Sequence, residues 1–189
     1  DAAGKEATWG SSGHNGIGVK VLGSYNLPCL AYKYMAPGHN SALIDDDKMF
    51  LVYHQRFSTG NEGHELRVHQ MLMNENGWPC VLPYEYTGET VADGYKKDEV
   101  CGTYDMIKQD PNDNTSAVEY NAVALNDDGT LSGYLKGSWE MKDNSIYLSI
   151  KCGTATYQGV ICEMKDEAGT DCMAISLIGE NNCSLLGVK

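Results

Sequence analysis

PGHNSALIDDDKMFLVYHQRFSTGNEGHELRVHQMLMNENGWP, residues 37–79, decides the fold class. Within it MFLVYHQRF (49–57) and HELRVHQMLMN (64–74) are joined by the polar loop STGNEG, the spacing of an antiparallel hairpin with a moderately long connection. In the first of these strands Phe50, Val52, His54 and Arg56 share one face, and Leu51, Tyr53, Gln55 and Phe57 share the other. Both faces mix apolar and polar groups, so the pattern predicts a strand packed on both sides with bonded or functional polar residues among the core ones. Upstream, PGHNS reads as a turn that presents His39 from a strand start, and Asp45, Asp46 and Asp47 as a solvated acidic turn. Downstream, NENGWP places Gly77 for a positive φ, and the Pro-containing CVLPYEYTGE (80–89) is edge-like.

Working outward, residues 1–18 are rich in Gly, Ser and Ala with no sustained period, which predicts loop. GVKVLGSYNL (18–27) is a short apolar piece before the hairpin region. Beyond residue 100 come GTYDMI, AVEYNAVAL, GSWEMK, SIYLSIK, TYQGVICEM, CMAISLI and NCSLLGV, separated by NDDGT, KDNS, KDEAGT and GENN. Tight-turn chemistry at intervals of about ten residues predicts a small antiparallel barrel or sandwich. No convincing amphipathic helix interrupts the pattern, and the fold class is all-β.

The chain of 189 residues carries 26 acidic and 14 basic side chains, a formal charge of -12, with Arg56 and Arg67 as its only arginines. That balance disfavours a nucleic-acid partner and is compatible with a neutral polymer recognised by hydrogen bonds and stacking. No apolar run approaches the roughly 20 residues of a membrane-spanning helix. Residues 1–88 hold nine acidic and six basic groups and residues 89–189 hold seventeen and eight, which supports a boundary near Glu89. Seven cysteines, odd in number and without a CxxC pair, predict buried free thiols on strands.

All five histidines, at 14, 39, 54, 64 and 69, fall in the first 70 residues. His64 and His69 are five apart on one strand and point to opposite faces, so they cannot chelate one ion together, and there is no HExxH spacing. An independent metallohydrolase would need at least three convergent ligands. His14, His54, His64 and His69 read as single bonded or exposed imidazoles. His39, flanked by Pro37, Gly38, Asn40 and Ser41, is the candidate for either a functional or a turn-bracing role. For glycosidic hydrolysis a protonated and an ionised acid must flank the bond. Glu62, Glu65, Glu75 and Glu85 are available, yet none sits in an apolar setting that would raise its pKa, so no catalytic acid or base is assigned within the chain.

The segments PGHNS, FLVYHQRF, GHELRVHQMLMNENGWP and PYEYTGE, in that order, resemble the last blade of the five-bladed β-propeller of family 43 glycoside hydrolases of the arabinanase type. VCGTYDMI, LNDDGTLSG, GSWEMK and TYQGVICEM are similar, more loosely, to the small β-barrel appended in the larger members. The resemblance implies two units, residues 1–90 as the C-terminal part of the propeller and residues 91–189 as the accessory barrel, meeting near Glu89–Glu99. DAAGK looks like a loop of the preceding blade, implying a cut through the fold.

The resemblance further implies inverting hydrolysis of α-1,5-linked L-arabinofuranosyl bonds by carboxylates that precede Asp1. The chain alone is then expected to be inactive and to act with an N-terminal propeller polypeptide on arabinan or arabino-oligosaccharides. His39 carries over as the ligand of a hydrated calcium ion near the active site, with waters supplying most of the coordination. An extracellular or periplasmic location follows, with no signal peptide in this chain. The alternative is a non-catalytic carbohydrate-binding or structural β module, which should expose a row of aromatics, whereas a part of a propeller should expose strand edges and an apolar flank.

Overall fold

The computed structural model describes residues 18–59, 63–111 and 116–189. Two antiparallel sheets account for its strands. The first is a four-stranded meander of β1 (Tyr34–Asp45), β2 (Lys48–Phe57), β3 (His64–Met73) and β4 (Pro79–Val81), hydrogen-bonded in that order. Asp46, with φ of +52°, turns β1 into β2, a left-handed position that Asp tolerates better than most side chains. The second sheet is a closed barrel of β5 (Gly102–Gln109), β6 (Asn121–Leu125), β7 (Thr130–Gly133), β8 (Gly137–Met141), β9 (Tyr147–Cys152), β10 (Ala155–Lys165), β11 (Asp171–Gly179) and β12 (Ser184–Val188). Closure comes from β12 pairing with β5, Leu186 opposite Ile107, which removes the free edges that an open sheet of this kind would present. The only helix among the described residues is a single turn, α1 (Lys97–Val100), leading into the barrel.

The all-β class and the barrel read from turn spacing are therefore present. Local corrections concern PGHNS and the cysteines. The PGHNS segment is not a turn preceding a strand: it lies inside β1, which begins at Tyr34 and carries two register shifts, between Met35 and Gly38 and between Gly38 and Ser41. Each inserts one extra residue opposite β2, and Ala36 (φ +45°) and His39 (φ +46°) take the left-handed conformation there. Pro37 has no N–H to give a ladder, so a bulge is where a strand can hold it. Gln55 on β2 fills the gap by donating from Nε2 to the carbonyls of Met35 (2.6 Å) and Arg56 (2.5 Å). The seven cysteines are all free, but only Cys80 and Cys162 are buried on strands: Cys152 and Cys172 are half-buried on theirs, Cys101 is half-buried and Cys183 buried outside the strands, and Cys29 is exposed at a turn.

Side-chain alternation explains how the two sheets join. Inward residues such as Tyr104, Met106, Ile150, Tyr157, Ile161, Ile175, Leu177 and Leu185 fill the barrel with one packed cluster. Their polar ends are satisfied: Trp139 Nε1 donates to the Asn126 carbonyl at 2.8 Å and Tyr104 Oη to the Val100 carbonyl at 2.8 Å. Between β8 and β9 a Cβ on Gly137 (φ +153°) would lie 1.9 Å from the Lys151 carbonyl oxygen, so the wall closes there only around glycine.

Outward residues of one side of the same barrel, Ile107, Val160, Cys162, Met164, Ala174, Leu186 and Val188, are also buried. They pack in a second cluster against Tyr25, Leu27, Tyr34, Cys80, Leu82 and Tyr84 from the four-stranded sheet and its flanks. β10, β11, β12 and β5 are apolar on both faces because one face lines the barrel and the other is the floor of the sheet. By contrast the sheet's own separate cluster is small: Leu51, Tyr53, Met71 and Val81.

Polar ties fix the seam. Asn74 is buried; its Oδ1 accepts from the backbone N–H groups of Asn76 and Trp78 (3.0 Å each), while its Nδ2 donates to the Gln158 carbonyl on β10 at 3.2 Å. Tyr25 Oη donates to the Pro83 carbonyl at 2.7 Å, and residues 24–26 pair in parallel with Val118. The last backbone bond to β3 is made by Tyr86, and the first bridge into the barrel by Tyr95 with Ser145.

His69 is the internal strut of the sheet. It is fully buried, its Nδ1–H donates to the Leu82 carbonyl at 2.7 Å, and its Nε2 accepts from Tyr53 Oη at 3.0 Å. Burial holds its pKa down to about 4, with the Leu82 bond opposing and Arg67 reinforcing the shift. Because the folded pKa is depressed, the stability linked to this neutral imidazole is complete above the unfolded value near ~6.5 and is lost as pH falls towards about 4. On the order of 3 kcal/mol is at stake over that window. Urea midpoints measured from pH 7 to pH 4 should therefore fall more steeply for the natural chain than for His69→Asn, whose amide keeps the Leu82 bond without a proton to gain. Equal slopes for the two proteins would refute this assignment.

Candidate functional site

Two groups of polar side chains stand on the four-stranded sheet. The first contains three of the sequence-singled histidines. The left-handed backbone at His39 brings its imidazole against that of His54, Nδ1 to Nδ1 at 3.0 Å with ring centroids 4.9 Å apart. One ring must therefore carry its proton on Nδ1 and the other must not. Gly38 permits the arrangement, since a Cβ there would sit 3.0 Å from His54 Cε1. His54 in turn meets His64 edge-on at 4.9 Å, and His64 Nε2 accepts from Arg56 Nε at 3.0 Å. The rings follow one another across β1, β2 and β3. Among the described residues no three His, Cys, Asp or Glu side chains group so as to hold a metal ion.

Desolvation first, and then the charges that His39, His64 and Arg56 carry when protonated, lowers the His54 pKa from its usual value. His39 is exposed. Its Nδ1 is engaged by His54, and Nε2 is the atom left for an outside ligand. His69 is the core strut described above, and His14 lies outside the described residues.

The second group centres on Arg67, which sequence reasoning did not single out although it is one of two arginines in the chain. Its guanidinium lies over the Phe57 ring at 5.1 Å, donates from Nε to Tyr34 Oη at 3.1 Å, and pairs with Glu65 through Nη2 at 2.8 Å. Glu85 approaches Nε at 3.6 Å. Tyr34 Oη passes its own hydrogen to Glu167 at 2.7 Å, a residue of the β10–β11 turn. Sheet and barrel thus share one polar chain, beside a cleft of about 440 Å³.

The candidate carboxylates are placed as follows. Glu65 and Glu85 converge on Arg67, Glu75 pairs with Lys142 at 2.7 Å, and Glu62 lies outside the described residues. Contrary to the sequence reading, one of them has a raised pKa: partial burial pushes Glu85 up, with Arg67 pulling the other way. Alternation could not reveal this, because Glu85 follows the short β4 and its burial comes from packing at the seam. An inverting pair must hold a water between a protonated and an ionised acid. Glu65 and Glu85 instead share one guanidinium. The acidic turn Asp45–Asp47 is exposed, as expected.

The His54 assignment is checked by NMR titration of the imidazoles. His54 should titrate below ~6.5, and His39→Ala should move it part of the way back up; an unchanged His54 midpoint in the variant would remove His39 from the list of causes.

Residues 83–187 match the family model described as the C-terminal lipocalin-like domain of glycoside hydrolase family 43. An extracellular endo-α-(1→5)-L-arabinanase 2 of Bacillus subtilis is 34% identical over 178 residues, 91% of this chain and 38% of that protein. The extracellular endo-α-(1→5)-L-arabinanase of Thermotoga petrophila is 35% identical over 154 residues, covering 76% of this chain and 32% of its own length. Among solved structures, the family 43 YxiA protein of Bacillus licheniformis superposes with a TM-score of 0.84 at 32% identity, over 90% of this chain and 39% of that one. The Thermotoga petrophila arabinanase superposes with a TM-score of 0.76 at 31% identity, over 84% and 36%. The chain spans between 32% and 38% of the length of the two arabinanase sequences it matches. No helix of the described residues is long and apolar enough to cross a membrane. With a family model covering more than half of its length and these relatives beside it, the chain belongs to glycoside hydrolase family 43, as the C-terminal portion of an arabinanase-type member.

Proposed function

We propose that this chain serves an extracellular enzyme that hydrolyses α-1,5-linked arabinan with inversion, and that it is inactive without an N-terminal propeller segment carrying the catalytic carboxylates. The observation that carries the reading is the match to two extracellular arabinanases over only 38% and 32% of their length. The ion-paired state of Glu65, Glu75 and Glu85 supports it, since each is engaged by a basic side chain of this chain.

In this reading β1–β4 is the last blade of a five-bladed propeller within residues 1–90, and residues 91–189 are the accessory barrel. β1 is the edge of its sheet, and the neighbouring residues Leu43 (50% exposed) and Ile44 (73%) point to opposite faces, so both faces are uncovered at that end. Leu66 on β3 is 65% exposed. Uncovered apolar surface on both sides of a strand suits a sheet that expects a neighbouring blade, and favours the enzyme portion over a free-standing binding module. The partner is the N-terminal propeller segment, on the same polypeptide or a separate one.

His39 fits a contribution of one ligand. With Nδ1 committed to His54, Nε2 would meet a calcium ion whose remaining coordination is water, in keeping with the lack of a three-ligand cluster among the described residues. Calcium there would add positive charge beside the substrate-binding face. The chain's own part is to hold that imidazole at a bulge whose backbone is fixed by Gly38 packing and the Gln55 bonds.

Purified alone, the chain should release no sugar from linear arabinan, and adding the N-terminal segment should restore turnover; turnover by the chain alone, free of contaminating enzyme, would refute the reading. In the restored enzyme His39→Ala should reduce turnover and bound calcium far more than thermal stability. A large drop in melting temperature with normal specific activity would leave His39 only a bracing role.

A further inference from the structure

The cleft beside Arg67 has the features of a saccharide subsite, and it lies on elements whose positions are independently fixed. Its first wall is the segment before β1. Leu27–Leu30 forms a tight turn, Leu30 N–H to the Leu27 carbonyl at 3.4 Å, with Cys29 at φ +66°. Tyr84 Oη donates to the Pro28 carbonyl at 2.5 Å, and Lys33 exchanges bonds with Ser58, from its N–H to Ser58 Oγ at 3.2 Å and from the Ser58 N–H to its carbonyl at 3.1 Å. Between these anchors Tyr32 stands 56% exposed at the cleft. An exposed aromatic ring on a backbone pinned at both sides is a stacking platform that costs little ordering on binding.

The opposite wall is the β10–β11 turn. Asp166 Oδ1 accepts from the N–H groups of Ala168 and Thr170 at 2.9 Å each, which sets the turn and with it Glu167. Arg67 and Phe57 form the floor. Glu65 uses Oε2 for Arg67 and Glu167 uses Oε1 for Tyr34, so each carboxylate has a second oxygen with which to accept from a hydroxyl. Two carboxylates, Glu65 and Glu85, flank the guanidinium, and a third, Glu167, joins the group through Tyr34 Oη. This excess of negative charge opposes phosphate or uronate ligands and leaves neutral, hydroxyl-rich ones. A volume of about 440 Å³ is in the range of small-ligand clefts.

We propose that this seam is a second binding site for a neutral oligosaccharide, with Tyr32 stacking on a sugar ring while Glu65, Glu167 and Arg67 hold its hydroxyls. The proposal deepens the arabinan reading and takes its ligand class from it. Since Glu167 comes from the barrel and the other groups from the sheet side, the site exists only when both units are docked. It gives the barrel a part in holding polymer away from the point of cleavage.

Affinity electrophoresis of the 189-residue chain through gels containing linear arabinan, with calorimetry on arabino-oligosaccharides, tests it without any need for turnover. Retardation is expected for the natural chain, binding about tenfold weaker for Tyr32→Ala, near-normal binding for Tyr32→Phe, and weakened binding for Glu167→Gln. His39→Ala should bind as the natural chain does. Melting temperatures of the variants guard against loss of fold, and Tyr32, being exposed, is expected to leave stability unchanged. No retardation of the natural chain, equal retardation of Tyr32→Ala, or equal binding to polygalacturonate would overturn the proposal. The two readings fail separately: normal turnover in the restored enzyme with no binding to the chain retires only the second site, and retained binding without turnover retires only the hydrolase reading.

Discussion

The packing of the four-stranded sheet onto the outside of the barrel is the contact on which the other features depend. Tyr25, Leu27, Tyr34, Leu82 and Tyr84 bury their side chains against Val160, Cys162, Leu186 and Val188, residues that a solitary barrel would expose to water. Each such side chain contributes roughly 1.5–3 kcal/mol when fully buried. A sheet whose separate cluster comprises only Leu51, Tyr53, Met71 and Val81 with a few partly buried neighbours has no other large apolar support among the described residues. A closed barrel filled by its own inward side chains is the rigid partner, and the sheet takes its position from it.

Polar groups at this contact are arranged so that few are left unpaired. Asn74 closes its own turn and reaches β10 with one amide, and Tyr25 and Tyr84 bury their rings while their hydroxyls find the carbonyls of Pro83 and Pro28. His69 performs the same service within the sheet, linking β2 to the chain beyond β4 through Tyr53 and Leu82. A buried group without a partner costs about 1–3 kcal/mol, so these bonds select one docking among the many that apolar contact alone would allow. Chemistry is then placed where the seam or the ladder is irregular. Two bulges turn His39 onto His54, and the seam brings Glu167 to Tyr34 and Arg67.

The split between the two polar groups follows from their supports. The histidines stand on strands at the uncovered side of the sheet, where β1 is an edge and Leu43, Ile44 and Leu66 lie open. Arg67 stands where the sheet is covered by the barrel, held by an aromatic face and two carboxylates. One group stands on the open face of the sheet, and the other is tied to the barrel through Tyr34 and Glu167.

Hairpin spacing over residues 49–74, turn chemistry at KDEAGT and GENN, and the apolar alternation of the later strands determined the all-β class, the β2–β3 pair and the antiparallel barrel, because period and turn type are local properties. Matched segments around PGHNS likewise made the family legible. The sequence could also place His64 and His69 on opposite faces, and the structure has one exposed and the other fully buried. What it could not determine was the bulged course of β1 through PGHNS, since a bulge is decided by which residues of the partner strand lie opposite, here Gln55 and His54. Nor could it single out Arg67 and Glu167, which lie 33 and 133 residues from Tyr34 along the chain: Arg67 meets Tyr34 across the sheet, and Glu167 reaches it only because the barrel docks there. The raised pKa of Glu85 has the same origin, since desolvation depends on what packs from a distance rather than on the neighbours a residue has in sequence.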